Sequence, residues 1–232
     1  MKKIYLKCQQ KRFTPQHVAE VGVYLPETSN VVDFAKERTR TTLVEAHPTY
    51  IAQIRTYFKE YPNVTLYPVA IYDAPGQLRI VTRGPSTYVE HIAKPPSVIN
   101  DGYQIDEIDT ITVPAERFDA IDDGTIDLLS IDIEGSEWYV VKHLKSRPIV
   151  ISVETHGKLY TNPYLSEITA WMHEHGYQKW YKDNSDTVYI RDSALSVSTT
   201  EKAQLVLKDL YIQFRKNKNK AKRSILRLLG KS

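Results

Sequence analysis

An α/β fold with a mainly parallel sheet is what the sequence predicts, and three observations predict it. Short apolar runs alternate with helical patterns from residue 17 to residue 176. Four of those runs end on acids: Glu20, Glu45, Asp132 with Glu134, and Glu154. The alternation then closes on two strand patterns around a turn at 183–186, which would set one antiparallel strand into the sheet.

The elements follow in order. HVAEVGV (17–23) is a short strand ending at Gly22. TSNVVDFAKER (28–38) reads as a helix capped by Thr28 or Ser29. TTLVEA (41–46) is a second strand, and TYIAQIRTYFKEY (49–61) carries Ile51, Ile54, Tyr57 and Phe58 at helical spacing. VTLYPVAIY (64–72) reads as a third strand despite Pro68, with QLRIVT (77–82) extending the sheet. Residues 83–112 mix Gly, Pro, Ser and Asn without period and read as a long loop, a feature that is often functional. TIDLLSIDIE (125–134) and RPIVISVETHG (147–157) are strands flanking the helix SEWYVVKHLKS (136–146). NPYLSEITAWMHEHG (162–176) is the clearest helix, with Asn162 as cap, Pro163 at its first position, a stripe through Tyr164, Leu165, Ile168, Trp171 and Met172, and Gly176 as its stop.

Bulk properties narrow the classes. The 232 residues suffice for one sizeable core. One cysteine, Cys8, allows no internal disulfide and points to a reducing, cytoplasmic setting. The start MKKIYLKCQQ lacks the apolar run of a signal peptide. The formal net charge of +3 is unevenly placed. Residues 215–232 hold eight Lys or Arg and no acid, while residues 1–214 hold 23 basic against 28 acidic residues. The folded body is therefore mildly acidic, and nothing in it marks a specific nucleic-acid footprint. The organisation expected is one α/β domain over 1–200 followed by a helix and a basic amphipathic tail over 201–232.

Acids at strand ends face the ligand crevice of an open α/β sheet. A dinucleotide site needs one such acid and a Gly-rich phosphate cradle, and this chain has neither GxGxxG nor GxxxxGK[ST]. A ligand with a ribose and a positive charge but no phosphate suits the acids better, and S-adenosylmethionine is such a ligand.

TVPAERFDAI (112–121) followed by DLLSIDIEGSEWYVVKHL (127–144) resembles the signature segment of the FkbM family of S-adenosylmethionine-dependent methyltransferases. LVEAHPTYIAQIRTYF (43–58), NVTLYPVAIYDAPGQLRI (63–80), RPIVISVET (147–155) and EHGYQKWYKDN (174–184) resemble its other segments in order, covering residues 17 to 191. The resemblance implies a class I methyltransferase fold: a Rossmann-like, mainly parallel sheet with helices on both faces and a closing antiparallel hairpin. It implies transfer of a methyl group, usually to oxygen. By the same resemblance Glu20 and Gly22 hold the methionine end of S-adenosylmethionine, Tyr24 is a further cofactor contact, Glu45 takes the ribose hydroxyls, Ala46, Ala70 and Ile71 line the adenine pocket, and Asp132 sits near the sulfonium. The first segment departs from the family pattern: EVGVYLP keeps one Gly and has Val23, Tyr24 and Pro26 where Ala, Asn and a second Gly are usual, giving a stiffer, bulkier loop.

A hydroxyl acceptor benefits from a general base. His156 is the first candidate, with Asp132, Glu134 and Glu154 as alternatives. Asp132, Glu134 and Glu154 could instead hold a divalent metal, a less favoured reading because the spacing does not demand it. Glu134 has a structural alternative as cap of the helix beginning at Ser136. Ser86, Tyr88 and His91 in the long loop are the expected acceptor contacts, with a glycan or glycolipid sugar as first choice and a small metabolite as alternative. A rival reading is a non-catalytic binding or scaffolding module on the same fold. In the tail, Leu207, Leu210, Tyr211 and Phe214 share one helical face, Asn217 and Asn219 interrupt it, and Ala221, Ile225 and Leu228 resume it among cations. That pattern suits either a last packed helix with a solvated tail or peripheral attachment to an anionic membrane surface at the inner face.

Overall fold

The computed structural model of the chain describes residues 1–82, 87–90, 99, 110–183 and 185–228. Among these, the strands form two sheets. The larger has the order β10-β11-β9-β8-β1-β2-β3, built from β1 (His17–Val21), β2 (Arg40–Val44), β3 (Val64–Tyr67), β8 (Leu128–Ile131), β9 (Val150–Glu154), β10 (Tyr177–Lys182) and β11 (Asp186–Arg191). Neighbours from β3 to β9 run parallel, and β11 lies antiparallel to both β9 and β10. This is the mainly parallel sheet with a closing hairpin that the sequence predicts.

Side-chain alternation divides the core into two layers. Val18, Leu43, Leu128, Val150 and Val188 face one layer with Phe34 of α2 (Val32–Lys36) and Ile54 of α3 (Pro48–Tyr57). Ala19, Val21, Val44, Leu129, Ile131, Ile151 and Val153 face the other, with Val140 and Val141 of α4 (Glu137–Val141) and Ile168 and Met172 of α5 (Leu165–Glu174). Strands buried on both faces need near-continuous apolar residues, and β1 and β9 are buried throughout.

Several expected elements change. The run 64–72 is two strands, because Pro68 lacks an N–H for the ladder and the chain turns there. β3 ends at Tyr67, and β4 (Ala70–Ile71) joins a second sheet of order β4-β7-β5-β6. Residues 77–82 therefore do not extend the main sheet: β5 (Gly76–Val81) pairs with β7 (Thr110–Glu116) and β6 (Tyr88–Val89). The expected loop over 83–112 thus contains strand at Tyr88–Val89 and from Thr110 onward. The helix expected over 28–38 shrinks to Val32–Lys36, and Ser29 lies in the turn before it, its hydroxyl donating to the Glu20 carboxylate and accepting the Val31 N–H at 3.2 Å. The helix expected over 136–146 shrinks to Glu137–Val141. Asn162 closes the turn before α5 by accepting the Tyr164 N–H at 2.9 Å, so the N-cap is Tyr164.

The termini meet. α1 (Lys3–Gln10), a segment for which the sequence pattern predicts no element, buries Ile4, Tyr5 and Cys8 in the first layer. α6 (Thr199–Leu228) is one helix of 30 residues, so Asn217 and Asn219 do not interrupt it. Its root is tied down by Glu201, which accepts from Lys11 Nζ at 2.6 Å, Trp180 Nε1 at 2.6 Å and the Ser198 N–H at 2.9 Å. Farther along, Lys182 pairs with Asp209, and Lys216 donates to Thr161.

Candidate functional site

Parallel register sets the site. Glu20 lies opposite Ser130, and Ser130 opposite Ser152, near the carboxyl ends of β1, β8 and β9. Ser152 donates to Asp186 at 3.1 Å, and Asn30 donates to Ser130 at 3.0 Å. A polar row thus crosses the first face of an otherwise apolar sheet. Above it is a cavity of about 330 Å³, within the range of small-molecule sites.

The structure brings all eight of the expected cofactor residues to this cavity. Glu20, Gly22, Tyr24, Glu45, Ala46, Ala70, Ile71 and Asp132 all line it, as do Glu134 and Tyr88. Glu154 and His156 are not among the lining residues. Ser86 and His91 lie outside the described residues.

Gly22 is the tightest point. It has φ +85°, and a Cβ there would sit 1.8 Å from the Asp132 carbonyl oxygen. β1 and β8 can run on to their ends side by side only because that position has no side chain. The next turn is held by Glu45. One of its oxygens accepts the N–H groups of Val23 (3.1 Å) and Tyr24 (2.9 Å), and the other those of Ala46 (2.9 Å) and His47 (2.8 Å). Tyr24 adopts φ +57°, a conformation costly for a bulky residue and kept only when its surroundings hold it. Those surroundings are the Glu45 carboxylate and the edge of the Tyr50 ring, 4.6 Å between centroids. Glu45 therefore braces the loop as well as bordering the cavity.

Acids dominate the electrostatics. Glu20, Glu45, Asp132, Glu134, Asp183 and Asp186 line the cavity, and no Lys, Arg or His does among the described residues. Burial pushes Glu20 up to about 7 despite hydrogen bonds from Ser29 and the Asn30 N–H (2.8 Å). Burial raises Asp186 to about 6. Asp132 is held well above the usual carboxylate range by burial and then by Asp186, Glu134, Glu137 and Glu20. Such a cavity favours a cationic ligand.

The expected bases divide. Glu134 sits at the cavity with φ +55°. His156 is buried, shares a hydrogen bond between Nδ1 and Thr155 Oγ1 at 3.0 Å, and is pushed down to about 4 by burial and then by Lys182, Lys216 and Lys208. A ring of so low a proton affinity, set outside the cavity, is a poor acceptor for a hydroxyl proton near neutral pH. The helix after β8 is organised not by Glu134 but by Glu137, whose carboxylate accepts the N–H groups of Ile133 and Gly135 at 3.0 Å.

Sequence reasoning missed Glu137, Thr28, Asn30, Tyr50 and the hairpin residues Asp183, Ser185 and Asp186. Asp183 and Asp186 were visible only as turn formers. Their place over β9 depends on the antiparallel register, which pairs Asp186 with Glu154.

A family profile described as methyltransferase FkbM domain matches residues 17–179. The search of curated proteins finds no match. Solved structures that resemble the chain include a precorrin-6y C5,15-methyltransferase from Geobacter metallireducens (17% identity, 80% of this chain and 84% of that chain, TM-score 0.37). They also include a ribosomal protein L11 methylase from Lactobacillus delbrueckii subsp. bulgaricus (11% identity, 80% and 73%, TM-score 0.43). A third is Aeropyrum pernix fibrillarin with natively bound S-adenosyl-L-methionine (13% identity, 81% and 73%, TM-score 0.40).

Two outcomes are expected. Gly22→Ala forces β1 away from Asp132 and puts Ala at positive φ, so it should lower stability by at least about 1–3 kcal/mol in urea unfolding; an unchanged midpoint would refute the close approach. Glu20 binds a proton in the folded chain that the unfolded chain releases. Its contribution to stability is therefore full below about 4.5 and is lost as pH rises through about 7. Relative to Glu20→Gln, the wild-type unfolding free energy should fall by about 3 kcal/mol across that window, read as a slope rather than an offset; parallel pH profiles would contradict the assignment.

Proposed function

The chain belongs to the methyltransferase FkbM family, and on that premise we propose that it moves the methyl group of S-adenosylmethionine to a hydroxyl oxygen of a sugar in a glycan or glycolipid. The observation that supports this most is the cavity lined by six acids and no base among the described residues, beside the close-packed Gly22. S-adenosylmethionine, the family's cofactor, supplies an electrophilic methyl group on a sulfonium. The residues present fit it. Gly22 sets the ends of β1 and β8 side by side at the cavity wall, the acids favour its positive charges, and Ala46, Ala70 and Ile71 offer an apolar wall to a base.

With the cofactor bound, the chain's main task would be to hold an acceptor hydroxyl and the methyl group in near-attack geometry, worth about 7–11 kcal/mol. A carboxylate at the cavity would take the hydroxyl proton. Of the four candidates only Asp132 and Glu134 line the cavity; burial and the neighbouring acids favour the protonated form of Asp132, so Glu134 is the acceptor we assign. Tyr88, buried on β6 at the cavity wall, offers an aromatic face near the acceptor.

A second reading has its own observation. Both oxygens of Glu45 are already engaged by four backbone N–H groups, which suits a carboxylate that only shapes a loop, as in a non-catalytic binding module. Titration calorimetry with S-adenosylmethionine separates the two: methyl transfer requires a binding heat, and Glu45→Ala should weaken it at least several-fold. No heat with the wild type would favour the non-catalytic module.

The α6 helix supports a place of work at an anionic membrane surface. Val206, Leu207, Leu210, Tyr211 and Phe214 are each more than half exposed, on the side turned away from the body. Arg215, Lys218, Lys220 and Lys222 are exposed just beyond them. Apolar residues flanked by cations match the interface of an anionic leaflet, where each Lys or Arg contributes about 1 kcal/mol at low salt. Among the described residues, no helix is long and apolar enough to cross a membrane. In flotation with phosphatidylserine vesicles at low salt, the full chain should rise with the lipid and a Leu210→Glu, Phe214→Glu variant should stay in the soluble fraction; equal recovery of both would discard the membrane.

A further inference from the structure

Two buried acids behind the cavity have no part in the reading above. Glu137 opens α4 and Glu154 ends β9, and with Asp132, just past β8, they bring three carboxylates from three elements together. One oxygen of each lies within 4.8 Å of the other two. Glu137 is 0% and Glu154 6% exposed. Glu137 is held in place by the N–H groups of Ile133 and Gly135 and by Asn162 Nδ2 at 2.5 Å. The same Asn162 amide donates to the Glu154 carbonyl at 2.9 Å, fixing the two acids relative to each other.

A second observation points to something bound there. Glu154 Oε2 is buried and has no hydrogen-bond partner among the described residues, and neither has Ser136 Oγ, which lines the cavity next to Glu137. A buried carboxylate oxygen without a donor is costly, and three clustered carboxylates require a counter-charge or a shared proton. Among the described residues no basic side chain lines the adjoining cavity, and Asp132, Glu134, Glu137 and Asp186 all act on Glu154 in the unfavourable direction.

We propose that Asp132, Glu137 and Glu154 bind one divalent, oxygen-preferring cation, Mg²⁺ or Mn²⁺. Carboxylate-only ligands select hard cations. Metal–oxygen distances of about 2.0–2.1 Å place octahedral ligand oxygens about 3–4 Å apart, inside the spread seen here. The hydrogen bonds to Glu137 are the kind of supporting contacts that orient a metal ligand. Three protein ligands leave coordination positions free, and through Asp132 these open on the cavity. There two oxygens of the acceptor could replace water, a clause that rests on the methyl-transfer reading. Cation binding itself does not rest on it.

The test is Mn²⁺ titration of chelator-treated, full-length protein, followed by electron paramagnetic resonance, with thermal unfolding in Mg²⁺ and Mn²⁺ as a second readout. One Mn²⁺ per chain and a raised melting temperature are expected. Glu154→Gln should weaken Mn²⁺ binding at least about 10–100-fold, the loss that follows removal of a mere supporting contact, while melting no lower than wild type without metal, because a buried repulsion is gone. Asp132→Asn is the second variant, should Glu154→Gln not fold. No saturable Mn²⁺ signal with no thermal shift at millimolar metal, or undiminished binding in the variants, would overturn the site. Calorimetry with S-adenosylmethionine on the same samples separates the failures: a cofactor heat without a metal response sinks the cation alone, and a metal response without cofactor heat sinks the methyl-transfer reading alone.

Discussion

The contact on which the rest of the structure depends is the approach of Gly22 to the Asp132 backbone. β1 and β8 pair in parallel as far as Val21 and Ile131, and the Asp132 N–H still bonds to the Val21 carbonyl at 2.9 Å. The Gly22 N–H meanwhile bonds to Val44 on the other side at 3.0 Å. One residue without a side chain therefore joins the ends of three strands. The loop from Val23, the turn holding Ala46 and the segment carrying Asp132 to Glu137 all depart from this junction, so their spacing is inherited from it.

The junction also explains why so much negative charge can gather in one place. Four of the acids are anchored by something rigid: Glu45 by four N–H groups, Glu20 by Ser29 and Asn30, Glu137 by the turn it closes, Asp186 by Ser152. Donors from the backbone and from hydroxyls satisfy lone pairs without neutralising charge. The site is thus held in shape while its net charge remains unbalanced, and an unbalanced but ordered cluster suits a cationic ligand better than a neutral one.

The main sheet was legible because β1, β2, β8 and β9 are buried strands whose apolar runs are bounded by turns, and alternation with helices leaves few arrangements. The acids that close those strands were legible for the same reason. The second sheet was not, since Pro68 within VTLYPVAIY looks like a blemish in one strand rather than the break between two. Glu137 was hidden by its position within a helix pattern, where an acid near the start reads as a favourable dipole contact. α1 was hidden by its polar composition, with Ile4, Tyr5 and Cys8 too few to show a period. His156 misled because a histidine after a strand suggests chemistry, whereas here it is enclosed and faces lysines.

The fastening of α6 has a geometric consequence. Glu201 roots the helix in Trp180 and Lys11, and contacts to Thr161, to the Lys158 carbonyl and to the Ile99 carbonyl steady it along its length. At 1.5 Å per residue it forms a rod about 45 Å long, clamped at intervals rather than hinged. Whatever grips its outer side therefore fixes the tilt of the whole body, as a bracket fixes a shelf, and with it the direction from which a substrate can enter.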